Sequence, residues 1–111
     1  MRVNYSPRAQ QELLEITKYY NDNVPGLGID FMTELDRQIN LCRESPNIGL
    51  QVDKFRRRLV MNRFPYNIIY RHLKQEIRVI AVAHQHRKPG YWKQANQHNH
   101  KIEETNAVYA M

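Results

Sequence analysis

One cysteine, one tryptophan and four glycines in 111 residues exclude several kinds of protein at the outset. Cys42 has no partner for an intramolecular disulfide, so a disulfide-stapled scaffold is ruled out. No apolar run reaches the roughly 18 residues of a membrane span, and none has the pattern of a signal peptide. A reducing cytoplasm is the expected compartment, with no membrane association. Glycine-rich phosphate loops, dinucleotide fingerprints and nucleophile-elbow motifs are missing too, which leaves ATPase, dehydrogenase and hydrolase readings without support. Acid is scarce in one stretch above all. Residues 54–93 hold 11 basic residues against 1 acidic, a net charge of +10, while residues 1–53 carry −3 and residues 94–111 carry −1.

Hydrophobic residues at 41% and charged residues at 25% match an ordinary globular chain of one domain. That domain is expected over residues 1–93, with 94–111 as a polar tail or short terminal helix. Charge concentrated in forty residues builds a local positive field, so an anionic partner is expected.

Alternating apolar residues in Arg2-Val3-Asn4-Tyr5 predict a short strand, and Ser6-Pro7 supplies a cap and a first-turn proline for a helix. Ala9, Leu13, Ile16 and Tyr20 stack on one face of that helix, which ends near Asn23. Val24-Pro25-Gly26 breaks it. Leu27, Phe31, Leu35, Ile39 and Cys42 mark a second helix, stopped by Ser45-Pro46-Asn47 and Gly49. Cys42 is expected in the core. Three strands follow at Phe55–Met61, Tyr66–His72 and Ile77–Ala83, the last two alternating as Tyr66, Ile68, Tyr70 and as Ile77, Val79, Ala81, Ala83. The fold expected is α+β: a strand, a helical hairpin, then a three-stranded antiparallel meander, with the helices on one sheet face and the basic residues on the other.

The run Arg63-Phe64-Pro65-Tyr66-Asn67-Ile68-Ile69-Tyr70-Arg71, then Ile77 to His84, then Arg87-Lys88-Pro89-Gly90-Tyr91-Trp92 resembles the RelE/ParE toxin superfamily. That family shows an R-F-P-Y strand, a strand ending A-V-A-H and a closing H-x-x-R-x-P-x-Y-W in this order. Tyr5-Ser6-Pro7-x-Ala9 and Ser45-Pro46 with Gly49 also look like its opening and its helix-to-sheet link. The resemblance covers about Val3 to Trp92. It implies a type II toxin held silent by a cognate antitoxin, and it leaves the target open.

One reading is a RelE-like endoribonuclease that cuts messenger RNA on the ribosome without a metal or other cofactor. Such cleavage needs a base, charge stabilisation and an acid. His84 would be base or acid, Arg63 and Arg87 would hold phosphate oxygens, and Tyr91 would stack on a base or move a proton. Arg56 and Arg58, two apart on a strand, would track the RNA backbone with Lys88. Arg56-Arg57-Arg58 stands where RelE-type enzymes often carry lysines, which throws base catalysis onto His84. The alternative is a ParE-like poison that binds DNA gyrase without chemistry of its own, His84 then being structural. A third reading is a toxin that has lost its activity and survives as an antitoxin-binding module that helps to bind promoter DNA. His84 with His86, and His98 with His100, lack acidic or cysteine partners at ligand spacing, so no metal site is expected.

Overall fold

The computed structural model describes residues 1–94. The expected tail, apart from Gln94, and the pair His98 and His100 lie outside the described residues. β1 spans Arg2–Tyr5, α1 Pro7–Asn23, α2 Leu27–Glu44, β2 Leu50–Gln51, β3 Arg57–Val60, β4 Tyr66–Leu73, β5 Glu76–His84 and α3 Tyr91–Gln94. Ser6 caps α1 by accepting the Ala9 N–H at 3.1 Å. Gly26 takes a left-handed φ of 89°, open to glycine at no steric cost, and turns the chain into α2. The two helices pack on each other and on one face of the sheet.

The expected antiparallel meander is present as β3-β4-β5, and β1 and the short β2 extend it to a five-stranded sheet in the order β1-β5-β4-β3-β2. β1 joins it parallel to β5, with Arg2 opposite Glu76 and Tyr5 opposite Val79. The other pairings are antiparallel. β3 starts two residues later than the sequence pattern suggests. Phe55 and Arg56 belong to a turn in which both their N–H groups donate to Asp53 Oδ1, at 2.9 and 2.8 Å.

The larger correction concerns β5. Its apolar alternation reads as one continuous face, yet the pairing slips between Ile69 and Tyr70: Ile69 faces Ala81 while Tyr70 faces Val79, so Ile80 is an extra, bulged residue. Ile77 and Val79 therefore point into the helix-covered core, as does Val82, whereas Ala81 and Ala83 point to the opposite side. The main core gathers Ile16, Phe31, Leu35, Cys42, Tyr66, Ile68 and Tyr70 between helices and sheet. A smaller cluster of Ile69, Ala81, Ala83, Tyr91 and Trp92 covers part of the other face.

Tyr70 holds the link from α2 to β2. Its buried hydroxyl donates to the Pro46 carbonyl at 2.8 Å and accepts the Gly49 N–H at 3.0 Å. Arg57 adds a bond to the Gly49 carbonyl at 2.8 Å. A Cβ at position 49 would stand 2.8 Å from the Tyr70 hydroxyl and 2.9 Å from the Arg58 carbonyl, too close for any residue but glycine. Gly49→Ala is expected to cost about 1–3 kcal/mol through this overpacking, and Tyr70→Phe a similar amount through two lost partners. Urea unfolding measures both. Losses within the ~0.5 kcal/mol of ordinary surface changes would show that the link is held by something else.

Candidate functional site

Residues opposite one another in paired strands share a sheet face. On the face away from the helices this sets Leu50, Arg58, Ile69 and Ala81 in one row, and Val60, Asn67 and Ala83 in the next. The turn after β5 and the short α3 fold back over part of this face. Between them lies a cavity of about 220 Å³ lined by Val52, Asp53, Arg58, Asn67, Arg87 and Trp92 among others.

The turn is anchored from the far side of the sheet. β1 pairs with β5 only as far as Val79, so the β5 edge beyond it needs other partners. The Ser6 hydroxyl donates to the Ile80 carbonyl at 2.8 Å, and the Val82 N–H donates to Glu12 Oε1 at 2.8 Å. The second Glu12 oxygen accepts a short hydrogen bond from the Tyr91 hydroxyl. Glu12 is 3% exposed, and burial pushes its pKa up to about 7, although Tyr91, the Val82 N–H, Arg8 and Arg87 all favour the carboxylate. Burial also raises the Tyr91 phenol, with Glu12 adding to the effect.

The sequence-derived candidates fall into separate environments. Arg63, in the turn between β3 and β4, pairs with Asp30 at 3.3 Å and lies over the Phe64 ring. Arg87 stacks on the Tyr91 ring, 3.6 Å from its centroid. The His84 ring sits edge-on to Tyr66 at 5.3 Å, and its Nδ1 accepts the His86 N–H at 3.1 Å. Burial, with His86 beside it, lowers the His84 pKa, so the ring is neutral and its proton is on Nε2. Arg56 is tied to Asp53 at 2.9 Å, as is Lys93 at 3.4 Å. Burial would raise the Asp53 carboxyl, but bonds from the Phe55 N–H and from Arg56 bring it down to about 2. Arg58 lines the cavity, and Lys88 is exposed on the turn. The structure thus brings Arg58, Arg87 and His84 to one cavity and leaves Arg63 engaged with α2. Among the described residues no group of three His, Cys, Asp or Glu side chains could hold a metal ion.

Sequence reasoning missed Glu12, Asn67 and the polar side of Trp92. Glu12 did leave a signal: it stands three residues after Ala9 and four before Ile16, inside the apolar stripe of α1. A carboxylate at such a position is buried and must find donors.

A group protonated in the folded chain and ionised in the unfolded one removes stability as pH rises. For Glu12 the loss runs from its unfolded value near 4.5 up to about 7, and stays lost above that. It amounts to something on the order of 3 kcal/mol. Glu12→Gln has no such proton, so the stability of the natural chain relative to this variant is expected to fall by that amount between pH 4.5 and 8. Denaturation curves of both at the two pH values test it, and an unchanged difference would contradict the burial argument.

The sequence of residues 3–89 matches the family described as "ParE toxin of type II toxin-antitoxin system, parDE". No curated protein matches the chain significantly. Among solved structures, a chain of the chromosomal ParDE TA system from P. aeruginosa is similar, with a TM-score of 0.66 and 18% identity. The match covers 76% of this chain and 95% of that one, a likeness of fold. With most of its length inside the family match and the same α+β architecture, the chain belongs to the ParE toxin family of type II toxin-antitoxin systems.

Proposed function

We propose that this toxin acts by binding, as a poison of DNA gyrase, once it is released from a cognate antitoxin, and that it does not cut messenger RNA. The observation that carries the reading is the state of His84. A general base needs a free lone pair, and the one lone pair of this neutral imidazole is taken by the His86 N–H at 3.1 Å; its Nε2–H can still donate, but cleavage is then left without a base. Arginine cannot replace it as a base. The Tyr91 phenol is raised and committed to Glu12, so it is no base near neutral pH either. Arg63, Arg87 and Tyr91 instead serve folding contacts or charge.

The exposed face suits a protein partner. Leu50, at 63% exposure, and Val60, at 45%, flank Arg58 and Asn67, giving apolar surface beside positive charge. Arg58, Lys88 and the turn that carries Arg87 form the docking surface in this reading, with Arg56 braced behind by Asp53. Gyrase and antitoxin are both cytoplasmic partners, and the protein is proposed to work there. No helix among the described residues is long and apolar enough to cross a membrane.

The purified chain is expected to cause gyrase-linked DNA breaks and loss of supercoiling, while messenger RNA in a translating extract stays intact by primer extension. His84→Ala is expected to retain growth arrest within a few-fold. Ribosome-dependent cuts inside codons, abolished by that substitution, would restore the endoribonuclease and overturn the proposal.

A further inference from the structure

The cavity on the open face holds a concentration of buried polar atoms without partners. Arg58 Nε, both terminal nitrogens of Arg87, Trp92 Nε1 and Asn67 Oδ1 are all buried and find no hydrogen-bond partner among the described residues, and all four residues line this one cavity. Buried polar groups elsewhere in proteins are almost always paired, so several unpaired ones on residues that share one cavity mark a place where a ligand finds donors after small side-chain shifts. Trp92 is 7% exposed, and its ring cannot turn its N–H to solvent without leaving the small apolar cluster of Ile69, Ala81 and Ala83.

Four of these five atoms are donors. Arginine and indole nitrogens only donate. Turning the Asn67 amide by half a rotation presents its NH₂ in place of the oxygen, making every member a donor. Arg58, Arg87 and Lys93 line the cavity against one carboxylate, Asp53. That carboxylate is already occupied by Arg56, Lys93 and the N–H groups of Phe55 and Arg56. Arg87 is held through its flat face on Tyr91 at 3.6 Å, a contact that uses none of its N–H groups.

The cavity is partly open to solvent, and its volume suits a small ligand group. About 220 Å³ is below the ~300–1,000 Å³ of sites for drug-sized ligands, and several times the ~30 Å³ share of one water. We infer that the cavity formed by Arg58, Asn67, Arg87 and Trp92 binds a single phosphate group. Donors spread over four side chains on β3, β4, the turn and α3 suit the several oxygens of a tetrahedral anion better than the two of a planar carboxylate. The site shares Arg58 and the Arg87 turn with the docking surface proposed above, and phosphate binding is expected whether or not gyrase is poisoned.

Trp92 is the sole tryptophan, so its fluorescence reports the cavity directly. The full-length chain is titrated with inorganic phosphate at constant ionic strength, with acetate as the control. A saturable change with phosphate and none with acetate is expected. Binding measured by calorimetry is expected to weaken on the order of tenfold in Trp92→Phe, which keeps the ring and loses the N–H, and by tenfold or more in Arg58→Gln. Unchanged melting midpoints show that both variants fold. Competition identifies the source. Displacement by a short 5′-phosphorylated strand, but not its 5′-hydroxyl twin, means a nucleic-acid end, displacement by both means internal backbone phosphates, and by neither a small phosphate compound. No saturable response, equal binding of acetate, or full affinity in both variants would overturn the inference.

Discussion

A carboxylate borne on a helix completes the edge of the sheet, and much of the rest hangs from it. β1 leaves β5 at Val79, and an exposed strand edge invites association with other chains. Glu12 reaches the Val82 N–H from α1 and at the same time holds the Tyr91 hydroxyl. One side chain thereby joins helix, sheet and C-terminal turn. Tyr91 in turn carries Arg87 on its ring, and its neighbour Trp92 closes the cavity. A glutamine could accept one of these bonds as well, but it could not also attract Arg8 and Arg87, which favour the charged form of Glu12.

The bulge at Ile80 makes the second face useful. Without it, Ala81 and Ala83 would lie under the helices with Ile77 and Val79. With it, two small side chains come to the open face, where their lack of bulk leaves room beside Arg58 and Asn67. The same phase change turns Val82 to the core. Bulges often sit beside functional sites because they re-aim side chains in this way.

The helices were legible in the sequence almost to the residue, because Ser6-Pro7, Pro25-Gly26 and Ser45-Pro46 punctuate clear periodic stripes. β4 was legible from the alternation of Tyr66, Ile68 and Tyr70. β2 was not, since two residues carry no period, and neither was the bulge, since β5 is apolar on both sides of the slip. The open basic face was legible from charge, and Arg58 and Arg87 do meet there. The bond between His84 Nδ1 and the His86 N–H could not be read, because it depends on the tight turn after β5 and not on residue type. Trp92 entered the sequence reading only as part of the closing motif, and its buried N–H, without a partner among the described residues, shows only in the folded chain.

The parallel pairing of β1 with β5 bears on how the protein comes into being. Arg2 and Glu76 are 74 residues apart, so the first of the described strands waits for the last of them before it has a neighbour. The helical hairpin can form from local contacts while its apolar stripe has nothing to cover, and closing so long a loop slows the final step. During translation β2, β3 and β4 can pair first, but the complete sheet, and with it the face that carries the cavity, waits until nearly the whole described chain has left the ribosome.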